Sequence, residues 1–244
     1  MKRKQWMQLG LVASSMVMLT GCYQRYQRQS SPKKEAATSQ TSAKKQAKKT
    51  DNKQLYQSVF SDYQKIFATS KDLDAISKLN DAFAKEDRMI NSWVIETVIN
   101  QPDAVRYAFK DLNNDGVEEM IIANQQTDGS YFVTGVYYLK DQKPTLLAEG
   151  FVAGHGGARN ATTLYQGGEV LEVSWMSGTG HGVAVLSRIE KASQAATKVQ
   201  EEEVQVPGSD LNALFGKSDE EKLDLKSFDW QTFDSTPSAR NSQS

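Results

Sequence analysis

The sequence predicts an α+β protein in which N-terminal helices pack with an antiparallel β-meander, behind a leader and a polar stalk. Three observations predict it. Apolar residues recur at spacings of three and four between Leu55 and Ile95, the period of a helix face. Beyond Pro102 the pattern changes to short runs rich in β-branched and aromatic residues. Turn signals separate those runs at intervals of roughly 8 to 14 residues, too short for βαβ crossovers.

Three helices are expected. Leu55, Val59, Phe60, Tyr63, Ile66 and Phe67 form one face, and Leu73, Ile76, Leu79, Ala82 and Phe83 form a second, with Asp72 helping to start it. Met89, Ile90, Trp93, Val94 and Ile95 form a third apolar group, ending near Asn100 and Pro102. These aromatics are expected in the core.

Seven strands follow: 107–109, 119–123, 131–139, 145–148, 162–165, 170–175 and 182–189. Their turn signals are Asn114-Asp115-Gly116, Asp128-Gly129, Asp141 to Pro144 and Gly167-Gly168. Asp210 to Phe215 suggests a short helix. Residues 53–233 are therefore expected to form a single α+β domain, and 234–244 a frayed tail.

The charge is unevenly distributed. The whole chain has a net charge of −1, but residues 23–50 carry +7 and residues 51–244 carry −11. The segment 22–52 has almost no aliphatic bulk, so it cannot offset its ordering entropy and is expected to be a disordered basic stalk. Such a stalk is a soluble spacer, or it binds anionic membrane or wall polymer. The acidic remainder argues against a nucleic-acid partner.

Residues 1–21 have a basic start at Lys2-Arg3-Lys4 and an apolar stretch from Trp6 to Leu19, shorter than the roughly 20 residues a spanning helix needs. They end in Leu19-Thr20-Gly21 before Cys22, the only cysteine. This arrangement resembles a bacterial lipoprotein signal peptide with its lipobox. The resemblance implies cleavage before Cys22 and diacylglyceryl and N-acyl groups on that residue. It places the chain on the extracytoplasmic face of a cell membrane, because two acyl chains anchor stably. A lone cysteine leaves no internal disulfide.

One motif inside the domain points to a metal. In Asp111-Leu112-Asn113-Asn114-Asp115-Gly116-Val117-Glu118-Glu119, oxygen side chains stand at positions 1, 3, 5 and 9, with glycine at 6. Alternate oxygens of a tight loop can converge on a hard cation, and the Val117 carbonyl can add a ligand. Asp111, Asn113, Asp115, Val117 and Glu119 are thus the candidate ligands of a structural Ca²⁺. An EF-hand needs glutamate at position 12, where this chain has Ile122. The loop is more similar to those of integrin-type β-propeller repeats, and to a hairpin recurring in Gram-positive surface lipoproteins. An Asx-rich turn without metal is the alternative.

Both histidines lie in glycine-rich segments, Gly154-His155-Gly156-Gly157 and Ser177-Gly178-Thr179-Gly180-His181-Gly182. Neither matches a hydrolase or phosphate-loop motif. The functional expectation is a non-enzymatic lipoprotein that binds envelope polymer or protein. The alternative is an envelope hydrolase using His155, His181 and Ser177.

Overall fold

The computed structural model describes residues 51–233 except Asp87, Met89, His155, Gly156 and residues 192–194. The leader, Cys22, the stalk to residue 50 and the C-terminal tail lie outside the described residues.

The helices come first, as their periodicity requires. They are α1 (Asn52–Leu55), α2 (Gln57–Phe67), α3 (Leu73–Lys85) and α4 (Ser92–Asn100). The single helix expected from Leu55 is broken at Tyr56, whose side chain is wholly buried. Asp72 caps α3 by accepting from the Asp74 amide, and Asn91 caps α4 by accepting from the Trp93 amide. Leu73 departs from the expected apolar face. It is the first residue of α3 and is 74% exposed.

The meander divides into two antiparallel five-stranded sheets. The first comprises β1 (Val105–Lys110), β2 (Glu119–Gln125), β3 (Tyr131–Lys140), β4 (Lys143–Glu149) and, at its other edge, β10 (Gln231–Thr232). The second contains β5 (Phe151–Val152), β6 (Ala158–Tyr165), β7 (Glu169–Met176), β8 (His181–Ile189) and β9 (Ala196–Gln205). All seven expected strands are present, each longer than the run that signalled it. The predicted short helix is α5 (Leu211–Phe215), capped by Asp210.

Three apolar layers result. Val94, Ile95 and Ile66 from the helices meet Met120, Ile122 and Leu139 of the first sheet. On the opposite face of that sheet, Ile121, Val136 and Ala148 meet Leu164, Val170 and Ile189 of the second. A third cluster, with Leu171, Leu186 and Val204, covers Phe215 of α5. The C-terminal segment returns to the helix side. Phe233 stacks on Tyr63 with ring centroids 5.0 Å apart and meets Tyr107 edge-on at 5.0 Å.

A polar seam joins the sheets. Glu172 accepts from the Glu149 amide at 3.0 Å and from Asn160 Nδ2 at 2.9 Å. Ser174 donates to Asn160 Oδ1, and Thr162 donates to the Glu149 carbonyl. The Glu149 carboxylate accepts from the Asn91 amide at 2.9 Å, tying the start of α4 to the seam. Burial pushes the Glu149 carboxyl from 4.5 up to about 7, with the nearby Glu172 charge adding to the rise and the Asn91 amide opposing it.

At Gly168, φ is +78° and a Cβ would lie 2.7 Å from the Asn113 Cβ. Gly168→Ala is therefore expected to lower unfolding free energy in urea by about 2–4 kcal/mol. Gly129→Ala shares that φ in open space and should cost about 1 kcal/mol. The raised Glu149 carboxyl sets a pH dependence. Between pH 4.5 and about 7 the unfolded chain releases this proton first, so stability falls as pH rises through that window. Glu149→Gln should flatten the fall by on the order of 1–3 kcal/mol in pH-dependent denaturation.

Candidate functional site

The Asp111–Glu119 motif forms the connection between β1 and β2, which pair at Lys110 and Glu119. Its flanks are strands, and Ile122 is wholly buried in β2, so EF-hand geometry is absent from this loop. Two residues turn the chain sharply: Asn114 at φ 58° and Gly116 at φ 90°. Asparagine and glycine tolerate this left-handed region best.

The oxygen side chains converge on the loop's own interior. Asp111 accepts from the amides of Asp115 and Gly116, at 3.1 and 2.9 Å. Asn113 Oδ1 accepts from the Asp115 amide, and Asn113 Nδ2 donates to Asp115 Oδ2. Asp115 Oδ1 accepts from the Val117 amide at 2.8 Å. Glu119 reaches back across the loop to accept from the Leu112 amide at 2.8 Å. All five sequence-predicted ligands therefore belong to one compact loop.

Glu119 is only 2% exposed. Burial pushes its carboxyl up to about 7, and the charges of Asp115 and Asp111 add to the rise, while the Leu112 amide opposes it. This all-oxygen donor set suits a hard cation, which would favour the ionised carboxylate and screen the repulsion. Among the described residues, no group of three or more His, Cys, Asp or Glu side chains is arranged to hold a metal ion. In this arrangement the loop oxygens are occupied by backbone amides and one side-chain amide. The donor chemistry fits calcium. Coordination would require those oxygens to turn partly toward the ion.

The loop is anchored to the helix side and to both sheets. Leu112 is in the inter-sheet core, and Val117 packs against the helix-side core. Asn113, fully buried, lies against Gly168 at the β6–β7 turn. Tyr56 donates through its hydroxyl to the Glu118 carbonyl at 3.0 Å, and Asn52 Nδ2 donates to the Glu118 carboxylate. A concavity of about 490 Å³ beside this exit is lined by Asp51, Phe109, Glu118 and Asp229 among others.

The two glycine-rich segments come together at one end of the second sheet. Ser177 donates to the Gly157 carbonyl through its amide at 3.2 Å and through its hydroxyl at 2.8 Å. His181 is exposed at the start of β8, and its amide donates to Thr179 Oγ1. His155 lies outside the described residues.

Sequence reasoning missed the polar seam and a basic cleft at the β3–β4 hairpin. Glu149, Asn160 and Glu172 are far apart in the chain and share no motif, and nothing in their spacing could have found them. The paired lysines around Asp141-Gln142 were visible, but their partner surface on α2 was not. No known protein family, curated protein or solved structure matches the chain. No described helix is long and apolar enough to cross a membrane.

Proposed function

We propose that this chain is a lipoprotein anchored through acyl groups on Cys22 to the extracytoplasmic face of a cell membrane. Its acidic α+β domain acts as a non-enzymatic binding protein for envelope polymer or protein, reinforced by a structural Ca²⁺ in the Asp111–Glu119 loop. The lipobox sequence Leu19-Thr20-Gly21-Cys22 supports the anchor.

The observation that carries the structural role is the loop's position. One short oxygen-rich segment contributes Leu112 to one core and Val117 to another, and packs Asn113 against the second sheet. An ion held there would staple the helix side to both sheets. It would favour the ionised form of Glu119, whose buried carboxyl faces two like charges. Asp111, Asn113, Asp115 and Glu119 would supply side-chain oxygens, and Val117 a carbonyl. The ion's contribution is charge compensation and cross-linking of the loop.

Metal binding to the folded state alone raises stability by mass action, by about 2.7 kcal/mol when free calcium is a hundredfold above Kd. Calorimetry of the chain in calcium and in chelator should therefore give melting temperatures several degrees apart, with Asp115→Ala abolishing the difference. Identical melting in wild type would leave only an Asx-rich turn. For the anchor, metabolic labelling with a radioactive fatty acid should mark the wild-type chain and leave Cys22→Ala unlabelled. Equal labelling of both would refute lipidation at Cys22.

A further inference from the structure

A cleft of about 750 Å³ opens between α2, the segment preceding α4 and the β3–β4 hairpin. Its charges are unequally matched. Arg88 pairs with the buried Asp62 at 3.2 Å and with Glu86, and Lys65 also approaches Asp62 at 3.6 Å. The guanidinium is therefore compensated within the wall. Lys140 and Lys143 also line the cleft and are exposed, and neither forms an ion pair among the described residues.

The two lysines stand directly opposite each other in the β3–β4 register. Like charges in that position destabilise an antiparallel pair. The turn between them, Asp141-Gln142, has φ of 50° and 61°, values that a two-residue hairpin requires and that glutamine adopts at a cost. Asp141 is not among the residues lining the cleft. The hairpin thus holds two uncompensated ammonium groups at the edge of a concave surface, on a domain otherwise strongly acidic. Val59, Ile90 and Leu146 contribute apolar lining to the same cleft, beside the polar Ser58 and Thr145.

We propose that this cleft binds a small amphipathic anion, a phosphomonoester or phosphodiester head on a short aliphatic stem. The head lies between Lys140 and Lys143, and the stem against Val59, Ile90 and Leu146. The phosphate relieves the repulsion across the hairpin, and the stem covers apolar wall. The site is separate from the Asp111–Glu119 loop and does not depend on calcium. The Tyr56 hydroxyl lies between the two regions: it donates to the Glu118 carbonyl and lies 3.4 Å from the carbonyl of Tyr137, a residue lining the cleft.

Titration calorimetry with hexyl phosphate tests the proposal, using the full chain in neutral phosphatidylcholine nanodiscs corrected against empty discs. Saturable binding is expected, weakened about tenfold or more in K140E/K143E and retained in K140R/K143R. Both lysines are exposed, so these substitutions leave the core intact, which circular dichroism verifies. Inorganic phosphate and hexanol each carry half of the chemistry and should bind at least about tenfold more weakly. Equal affinity in wild type and K140E/K143E, or hexanol binding as tightly as hexyl phosphate, overturns the proposal. Phosphatidylglycerol in the discs separates the sources of the ligand. Competition with hexyl phosphate identifies a lipid headgroup, and undiminished binding identifies a soluble alkyl phosphate.

Discussion

The fold depends on the double burial of β2. Met120 and Ile122 face the helices, Ile121 faces the second sheet, and all three are wholly buried. A strand with no solvent face demands a layer on each side. The helices supply one layer and the second sheet the other. Because β2 begins at Glu119, the oxygen-rich loop sits at the head of this central strand. Leu112 and Val117 tie the loop to both cores, which explains how a short hairpin connection can be structural.

Polar contacts decide how the layers align. Apolar faces alone leave two sheets free to slide. The seam of Glu149, Asn160, Thr162, Glu172 and Ser174 removes that freedom, since each donor has one acceptor within reach. The Asn91 amide extends it to the first turn of α4. On the outer face of the second sheet, Glu169 pairs with both Arg188 and Lys217, which holds the segment after α5 in place. Phe233 closes the opposite side by stacking on Tyr63. Residues distant in the chain thus lock the same layers.

Much of this was legible locally. The 3.6-residue period identified the helices, and Asp72 and Asp210 marked two of their starts through side-chain caps. The alternating runs identified β1–β4 and β6–β8. β9 was hidden because Ala196–Gln205 is an edge strand with Val204 as its one buried residue, while Glu201, Glu202 and Glu203 carry charge along the sheet margin. Its pairing with β8 comes from the backbone, which side-chain pattern does not report. β5 and β10 have two residues each, too few for any period. The oxygen-rich loop was legible because all its parts lie within nine residues. The cleft was not, because its walls come from elements dozens of residues apart, and the seam was not, because it forms only when one sheet packs on the other.

The sequence by itself determined the fold class, the order of its main elements, the oxygen-rich loop and the Leu19-Thr20-Gly21-Cys22 motif on which the proposed membrane anchor rests. Each is encoded by neighbours in the chain, where spacing is a direct consequence of helix and strand geometry. Only the tertiary structure decided that the meander becomes two sheets and that Glu149 and Glu172 meet. It also decided that position 168 has no room for a Cβ, because Asn113 occupies the space, and that Lys140 and Lys143 share a cleft with Val59, Ile90 and Leu146. The reason is physical. Local pattern shows which face of an element seeks burial, but which other face covers it depends on packing across the whole chain.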